Sequence, residues 1–95
     1  MFVKVNTGAL SGIDAVDVTV EVNVAGGGIG LFIVGLPDNT IKESHERIQA
    51  AFENSGYKLQ AKKTVVNLAP ADLRKEGSQY DLPMAVGILV ATEQI

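Results

Sequence analysis

The residues that could carry chemistry are few, and the first candidates are a single histidine and a glycine-rich loop. The chain has no cysteine, which excludes a thiolate metal site, a cysteine nucleophile and a disulfide framework. His45 falls within or beside the apolar stripe of a predicted helix, and no second ligand or nucleophile stands near it in the sequence. We therefore interpret His45 as the edge of a helix interface rather than as a ligand or general base.

The loop Ala25-Gly-Gly-Gly-Ile-Gly30 raises the hypothesis of a phosphate site. A P-loop must end in Gly-Lys-Ser/Thr and lead into a helix, and a dinucleotide fingerprint also needs a helix directly after its glycines. Here the apolar run Leu31–Val34 follows and predicts a strand. We interpret the loop as a turn between two strands, and nothing in these residues supports ATP hydrolysis.

Period-two alternation of apolar and polar side chains predicts strands at Phe2–Thr7 and Val16–Val24. Gly8–Gly12 supplies the glycines of a connection, so a hairpin or meander is expected. Thr64–Leu68 is predicted to be a further, short buried strand.

A helical period predicts one amphipathic helix over Asp38–Asn54. Asp38 is a candidate cap, the segment Thr40-Ile-Lys-Glu43 has capping-box spacing, and Gly56 marks the end. The predicted apolar face consists of Ile41, Ile48, Ala50, Ala51 and Phe52.

A second helix is predicted over Asp81–Thr92, with Asp81 as the cap and Pro83 in the first turn. It is apolar nearly all round and should be buried on most sides. The order strand, strand, strand, helix, strand, helix predicts an α/β (α+β) fold class, with a mixed sheet of about four strands and two helices in a single domain over residues 1–95.

The net charge of −3 and the pI of 4.9 argue against a nucleic-acid-binding surface, because such surfaces neutralise phosphates. Two local basic groups remain, and we interpret both as solvated loop charge: Lys58, Lys62 and Lys63, then Arg74 and Lys75. The sequence shows neither a secretory signal nor an apolar run of membrane length, so we expect a cytoplasmic protein.

Two long stretches, Ile33–Ile48 and Val65–Leu89, closely resemble the N-terminal domain of Mg-chelatase-like AAA+ proteins of the ComM/YifB family. The resemblance implies a fold shared with the Lon protease catalytic domain, the RadA C-terminal domain and GHMP kinases. Two departures are His45, where the family usually has arginine, and the consecutive glycines Gly26–Gly28.

The family domain normally continues past the position matched by Glu93-Gln94-Ile95. The resemblance therefore implies the front part of a domain, truncated at its C-terminus and without the AAA+ ATPase module. An uncovered apolar surface on the final helix would then favour self-association or a rearranged end.

The likeness to Lon raises a Ser-Lys hydrolase hypothesis, with Ser78 as nucleophile and Lys75 nearby. Alignment to the protease motif instead places Gln79 at the nucleophile position, and a glutamine cannot attack a carbonyl. The family name also suggests Mg²⁺ at Asp72, Glu76 and Asp81, but scattered loop carboxylates are a weak magnesium motif. We therefore assign no catalytic, cofactor-binding or metal residue.

The resemblance implies a non-catalytic accessory or assembly domain of an ATPase that binds ATP and Mg²⁺ elsewhere in its polypeptide. It implies a homo-oligomeric ring motor acting on DNA during transformation, with this domain contacting the AAA+ module and DNA only indirectly. The alternative is a stand-alone protein-interaction module, whose contact surfaces would be Gly26–Gly30 and the two lysine-rich loops. A degenerate Ser-Lys protease-like domain is less favoured than either.

Overall fold

Within the described residues, four strands and two helices follow one another in the predicted order. The computed structural model describes residues 1–11, 14–59, 62–69 and 79–95. The elements are β1 (Phe2–Ser11), β2 (Asp14–Ala25), β3 (Gly30–Val34), α1 (Asp38–Ser55), β4 (Lys63–Ala69) and α2 (Asp81–Ala91).

The strands form one mixed sheet in the order β1-β2-β4-β3. β1 pairs antiparallel with β2, and β2 pairs antiparallel with β4. β3 and β4 are parallel, and α1 provides the crossover that a parallel pair requires. The mixed four-stranded sheet with two helices confirms the predicted fold class.

Alternation along the strands separates a helix-facing side of the sheet from an open side. On β2, the valines at positions 18, 20, 22 and 24 are buried, whereas the residues between them reach the open side. The predicted connection at Gly8–Gly12 is wrong for its first four residues, because Gly8–Ser11 pair with Asp14–Asp17. Strand pairing continues through this glycine, so the composition alone misplaced the end of β1.

α1 runs one residue beyond its predicted end and stops at Gly56, whose φ of 79° suits glycine. Its predicted start is wrong in detail. Pro37 occupies the N-cap position without a side-chain hydrogen bond, so Asp38 is the first helical residue rather than the cap. Thr40 then lies inside the helix, too late to begin a capping box.

The face that α1 buries also differs from the prediction. Ile48 and Phe52 are buried as expected and Ile41 is half-buried, but Ala50 and Ala51 are exposed. Ser44 is fully buried in their place. The prediction chose the two alanines because they are apolar and passed over the serine because it is polar. The helical period nevertheless places position 44 on the same side of the helix as position 48.

α2 begins at Asp81, with Tyr80 at the N-cap position and no side-chain cap hydrogen bond. The prediction that Asp81 caps the helix is therefore wrong, because its carboxylate is bound by Arg47 of α1. The helix was predicted to be buried on most sides. Its sheet-facing residues Met84 and Ile88 are fully buried, but Leu82 is 72% exposed.

α2 approaches the sheet through Gly87, over β1 and β2. A Cβ at position 87 would lie 2.7 Å from Cγ2 of Val22 and 3.5 Å from Cγ2 of Val5. The missing side chain therefore sets how closely the helix can pack on the sheet.

The residues after α2 are tied back to the segment after α1. The Gln94 side chain accepts a hydrogen bond from the Lys58 amide at 2.9 Å and donates one to the Lys58 carbonyl at 2.7 Å. The Thr92 hydroxyl donates to the Ile88 carbonyl at 2.7 Å.

None of the helices in the described ranges is long and apolar enough to span a membrane.

Gly87→Ala should lower the free energy of unfolding by about 1–2 kcal/mol, because overpacking against Val22 outweighs alanine's higher helix propensity. Urea unfolding measures the change. The matched control is Gly26→Ala, because a Cβ there meets nothing within 4 Å. Its effect should stay within about 0.5 kcal/mol. A Gly87→Ala variant as stable as the parent would show that the close packing is not required.

Candidate contact site

The glycine loop and the first lysine group, which are far apart in the sequence, meet where β3 and β4 begin. The Gly30 amide donates a hydrogen bond to the Lys62 carbonyl at 3.3 Å. A Cβ at Gly28 would contact the Lys63 side chain at 3.6 Å. Lys63 in turn places its Nζ 5.7 Å from the centroid of the Phe32 ring. Two of the surfaces predicted to make contacts thus form one continuous surface.

The backbone of the loop explains part of its glycine content. Gly27 has a φ of 91° and Gly30 a φ of 137°, values that residues with a Cβ rarely adopt. A strand, β3, follows the loop directly, as the sequence predicted. The loop therefore lacks the helix N-terminus that a P-loop or a dinucleotide site would place against a phosphate.

A cavity of about 330 Å³ lies beside this loop. Its apolar wall consists of Ile29, Leu31 and Leu59, and its polar groups come from His45, Gln49 and Thr64. Gly30 completes the lining. The volume is near the lower limit of ligand pockets, and the mixture of apolar walls with a few polar groups is typical of such pockets.

A second cavity of about 250 Å³ adjoins the first, because Gln49 and Leu59 line both. Its remaining lining residues are Phe52, Glu53, Tyr57 and Lys58. Phe52 and Tyr57 make an edge-to-face contact, with their centroids 6.3 Å apart. The two cavities thus lie side by side along α1 between His45 and Glu53, and each combines apolar walls with hydrogen-bonding groups.

His45 is half-buried, and among the residues that the structure describes it is the only titratable one lining the first cavity. In the described ranges no group of three or more His, Cys, Asp or Glu side chains could hold a metal ion. Sequence reasoning placed His45 beside the helix stripe but missed the cavity. The i, i+4 spacing of His45 and Gln49 was the available signal, whereas Ile29 and Leu59 join them only through the tertiary fold.

The segment leading into α2 carries the residues of the protease and magnesium hypotheses. Gln79 is exposed and Asp81 is bound by Arg47. The remaining residues, Asp72, Arg74, Lys75, Glu76 and Ser78, lie outside the described residues. Of the residues named in the protease and magnesium hypotheses, the structure thus describes only the Gln79 amide and the paired Asp81 carboxylate.

The Arg47 guanidinium group connects α1 to α2. Its Nε donates to Oδ2 of Asp81 and its Nη2 to Oδ1 at 3.4 Å, so the contact is bidentate. Nη2 also donates to the hydroxyl of buried Ser44 at 3.1 Å, and Nη1 lies 3.9 Å from Glu43. The hydrogen bond to Asp81 raises the pKa of Arg47, although desolvation opposes the change. Asp81 therefore has a positional role at the start of α2.

Tyr80, the residue before α2, is 1% exposed, and its hydroxyl has no hydrogen-bond partner among the described residues. Burial raises the pKa of this phenol because the phenolate is poorly solvated there. The neighbouring Gln79 side chain opposes the shift in part without reaching hydrogen-bond geometry. Burial of this hydroxyl without a hydrogen bond destabilises the fold, and the aromatic ring offsets that loss by filling the core.

Tyr80→Phe should leave the free energy of unfolding at neutral pH unchanged or raise it by up to about 1 kcal/mol, because it removes a buried hydroxyl without emptying the core. The folded pKa lies above the unfolded value of 10.0, so the parent's stability is complete below that pH and is lost as the pH rises through the folded pKa. The variant should lose less stability in alkali. Urea unfolding from neutral pH to pH of about 11 tests this, and equal alkaline losses would contradict it.

Comparison with known proteins places these features in a family. Residues 20–95 match the family model described as subunit ChlI of Mg-chelatase. The protein YifB of Salmonella typhimurium is 52% identical over 91 residues, which is 96% of this chain and 18% of that protein. YifB of Escherichia coli shows the same identity and coverage.

The competence protein ComM of Haemophilus influenzae is 48% identical over 87 residues, which is 92% of this chain and 17% of that protein. The chain thus spans less than a fifth of the length of these curated relatives. The family match covers both helices, the glycine loop and the strands β3 and β4. The chain therefore belongs to the Mg-chelatase-like family described by the ChlI model, and it is similar to YifB and ComM.

Proposed function

We propose that this chain acts as a non-catalytic accessory and assembly domain of a longer Mg-chelatase-like AAA+ ATPase. The observation that supports the proposal most directly is which side chains stand in the segment that leads into α2. A protease relative would need an attacking hydroxyl there, whereas this chain has an exposed amide at Gln79 and a carboxylate held by Arg47 at Asp81. Asp81 links α2 to α1 through Arg47, and the Gln79 amide cannot act as a nucleophile.

Family membership supports the wider part of the proposal. The matching relatives are more than five times as long as the aligned segment, so their further residues provide room for an ATPase module. ATP and Mg²⁺ would bind in that module, and this domain would contact it within the same polypeptide. The Lon-like superfold is part of the same proposal.

A relative named competence protein ComM supports a role for the whole protein in handling DNA, as a ring motor for branch migration in transformation or recombination. The net charge of −3 makes this domain a poor direct partner for phosphates. It would therefore act on DNA only through the assembled ring. We propose a cytoplasmic location for the same protein.

The first test compares the complete gene product, the same polypeptide without residues 1–95, and the 95-residue chain. We expect ATP turnover by the complete protein, none by the 95-residue chain, and weaker oligomerisation after the deletion. Steady-state ATPase assays and sedimentation velocity measure these outcomes. Peptide or ATP turnover by the 95-residue chain, or a deletion without effect on assembly, would overturn the proposal.

The second candidate function is a stand-alone protein-interaction module, favoured by the contact of the glycine loop with Lys62 and Lys63 and by the first cavity beside that loop. The reading frame after Ile95 separates the two. A Walker A sequence within the next few hundred codons supports the motor, whereas an immediate stop codon supports the module.

A further inference from the structure

The first cavity, beside the glycine loop, lies between α1 and the sheet. Thr64 of β4 and Leu31 of β3 are paired neighbours, and both lie on the helix-facing side of the sheet. His45 and Gln49 contribute to the lining from α1, one helical turn apart. Opposite walls of the cavity therefore come from two layers of the fold, so its shape depends on how α1 packs over β3 and β4.

The floor of this cavity carries a polar group that the fold leaves without a partner. Thr64 is only 3% exposed, yet its hydroxyl forms no hydrogen bond with any described residue. Within the described ranges, the only buried hydroxyl that is both unbonded and fully enclosed belongs to Tyr80. The Thr64 hydroxyl is therefore reached by solvent, through the cavity that Thr64 lines. Buried polar groups are normally hydrogen-bonded, so a molecule that enters the cavity is the expected partner.

The other two polar side chains of the lining, His45 and Gln49, also form no hydrogen bonds within the part of the chain that the structure describes. His45 is half-buried and Gln49 is exposed, so the three polar groups extend from the floor of the cavity to its rim. A hydroxyl, an imidazole and a carboxamide can each donate and accept hydrogen bonds. They are therefore complementary to a ligand edge that also does both, such as a carboxamide or a lactam.

The rest of the lining determines which charge and which body a ligand can have. None of the described lining residues is Lys, Arg, Asp or Glu. The neighbouring Lys63 lies over the Phe32 ring, on the other side of the sheet. An ionised ligand would lose hydration without gaining a counter-charge, so the cavity favours an uncharged one. Ile29, Leu31 and Leu59 form an aliphatic wall that can cover an apolar body.

We propose that the first cavity binds a small uncharged molecule that has an apolar body and one edge able to donate and accept hydrogen bonds. A cavity of roughly 150 Å³ holds benzene. The volume here is about 330 Å³, which accommodates such a ring together with a polar substituent. The depth of Thr64 in the fold favours a free molecule over the surface of a protein partner. This binding activity goes beyond the assembly role proposed above and does not rest on it.

Benzamide is the probe, because it joins an uncharged aromatic ring to a carboxamide. Two molecules of similar shape are its controls: benzoate, which is charged, and acetophenone, which accepts hydrogen bonds but cannot donate them. NMR titration of the 95-residue chain at neutral pH should show saturable chemical-shift changes at Leu31, His45 and Thr64. We expect a benzamide dissociation constant of about 1–10 mM, as suits so small a ligand. Those of benzoate and acetophenone should be at least about threefold higher.

Thr64→Val removes the floor hydroxyl and nearly keeps the shape of the side chain, so it should raise the benzamide dissociation constant at least about threefold. The matched control is Thr19→Val, which removes a strand hydroxyl on the open side of the sheet and should bind benzamide like the parent. Gln49→Leu, at an exposed position of α1, should also weaken binding and keeps the test valid if Thr64→Val does not fold.

Urea unfolding first establishes that each variant folds. The proposal is overturned if no saturable shifts occur up to about 50 mM benzamide, well above the expected dissociation constant. Benzoate or acetophenone binding as tightly as benzamide, or a folded Thr64→Val variant that binds like the parent, would also contradict it. Shifts confined to Phe52 and Tyr57 would place the ligand in the second cavity and equally overturn it. The ATPase comparison above judges the accessory role separately.

Discussion

Burial of one face of the sheet under two helices is the constraint on which the rest of this small domain depends. β2 supplies four consecutive inward valines, and β4 adds Val66 and Leu68. The chain has no tryptophan, so these smaller aliphatic side chains fill much of the core, and they can do so only by packing closely against one another. The contact of Gly87 with Val22 shows how little space remains between helix and sheet.

The same packing explains the positions of the polar residues. Arg47 reaches from α1 to the first residue of α2 and fixes the start of that helix, while buried Ser44 receives a second hydrogen bond from the same guanidinium. A carboxylate that resembles a helix cap in the sequence is thus used between helices. The pairing of Asp81 with Arg47 supports the accessory role proposed for the chain, because it gives this carboxylate a structural partner.

Much of the fold could be predicted from the sequence, because alternation in β1 and β2 and the helical period of α1 are local patterns. The ends of the elements were less predictable. Gly8 signalled a turn, but pairing with Asp17 continues the strand through it, and the cap residues were misassigned because Asp81 has a tertiary partner. The glycine loop and the lysines of the candidate site could be named from the sequence, but its cavity could not, since the cavity joins the loop at Ile29 to Leu59 beyond α1.

The position of β4 between β2 and β3 has a consequence for how the chain reaches its native state. β1 and β2 are neighbours in sequence and can pair early, and β3, α1 and β4 form a second local unit. The two units join only when Thr19 meets Ala69 and Ala25 meets Lys63, contacts that close long loops at an entropic cost. Docking of β4 against β2 is therefore the step expected to limit the folding rate, and until it occurs the edges of both units leave apolar side chains exposed to water.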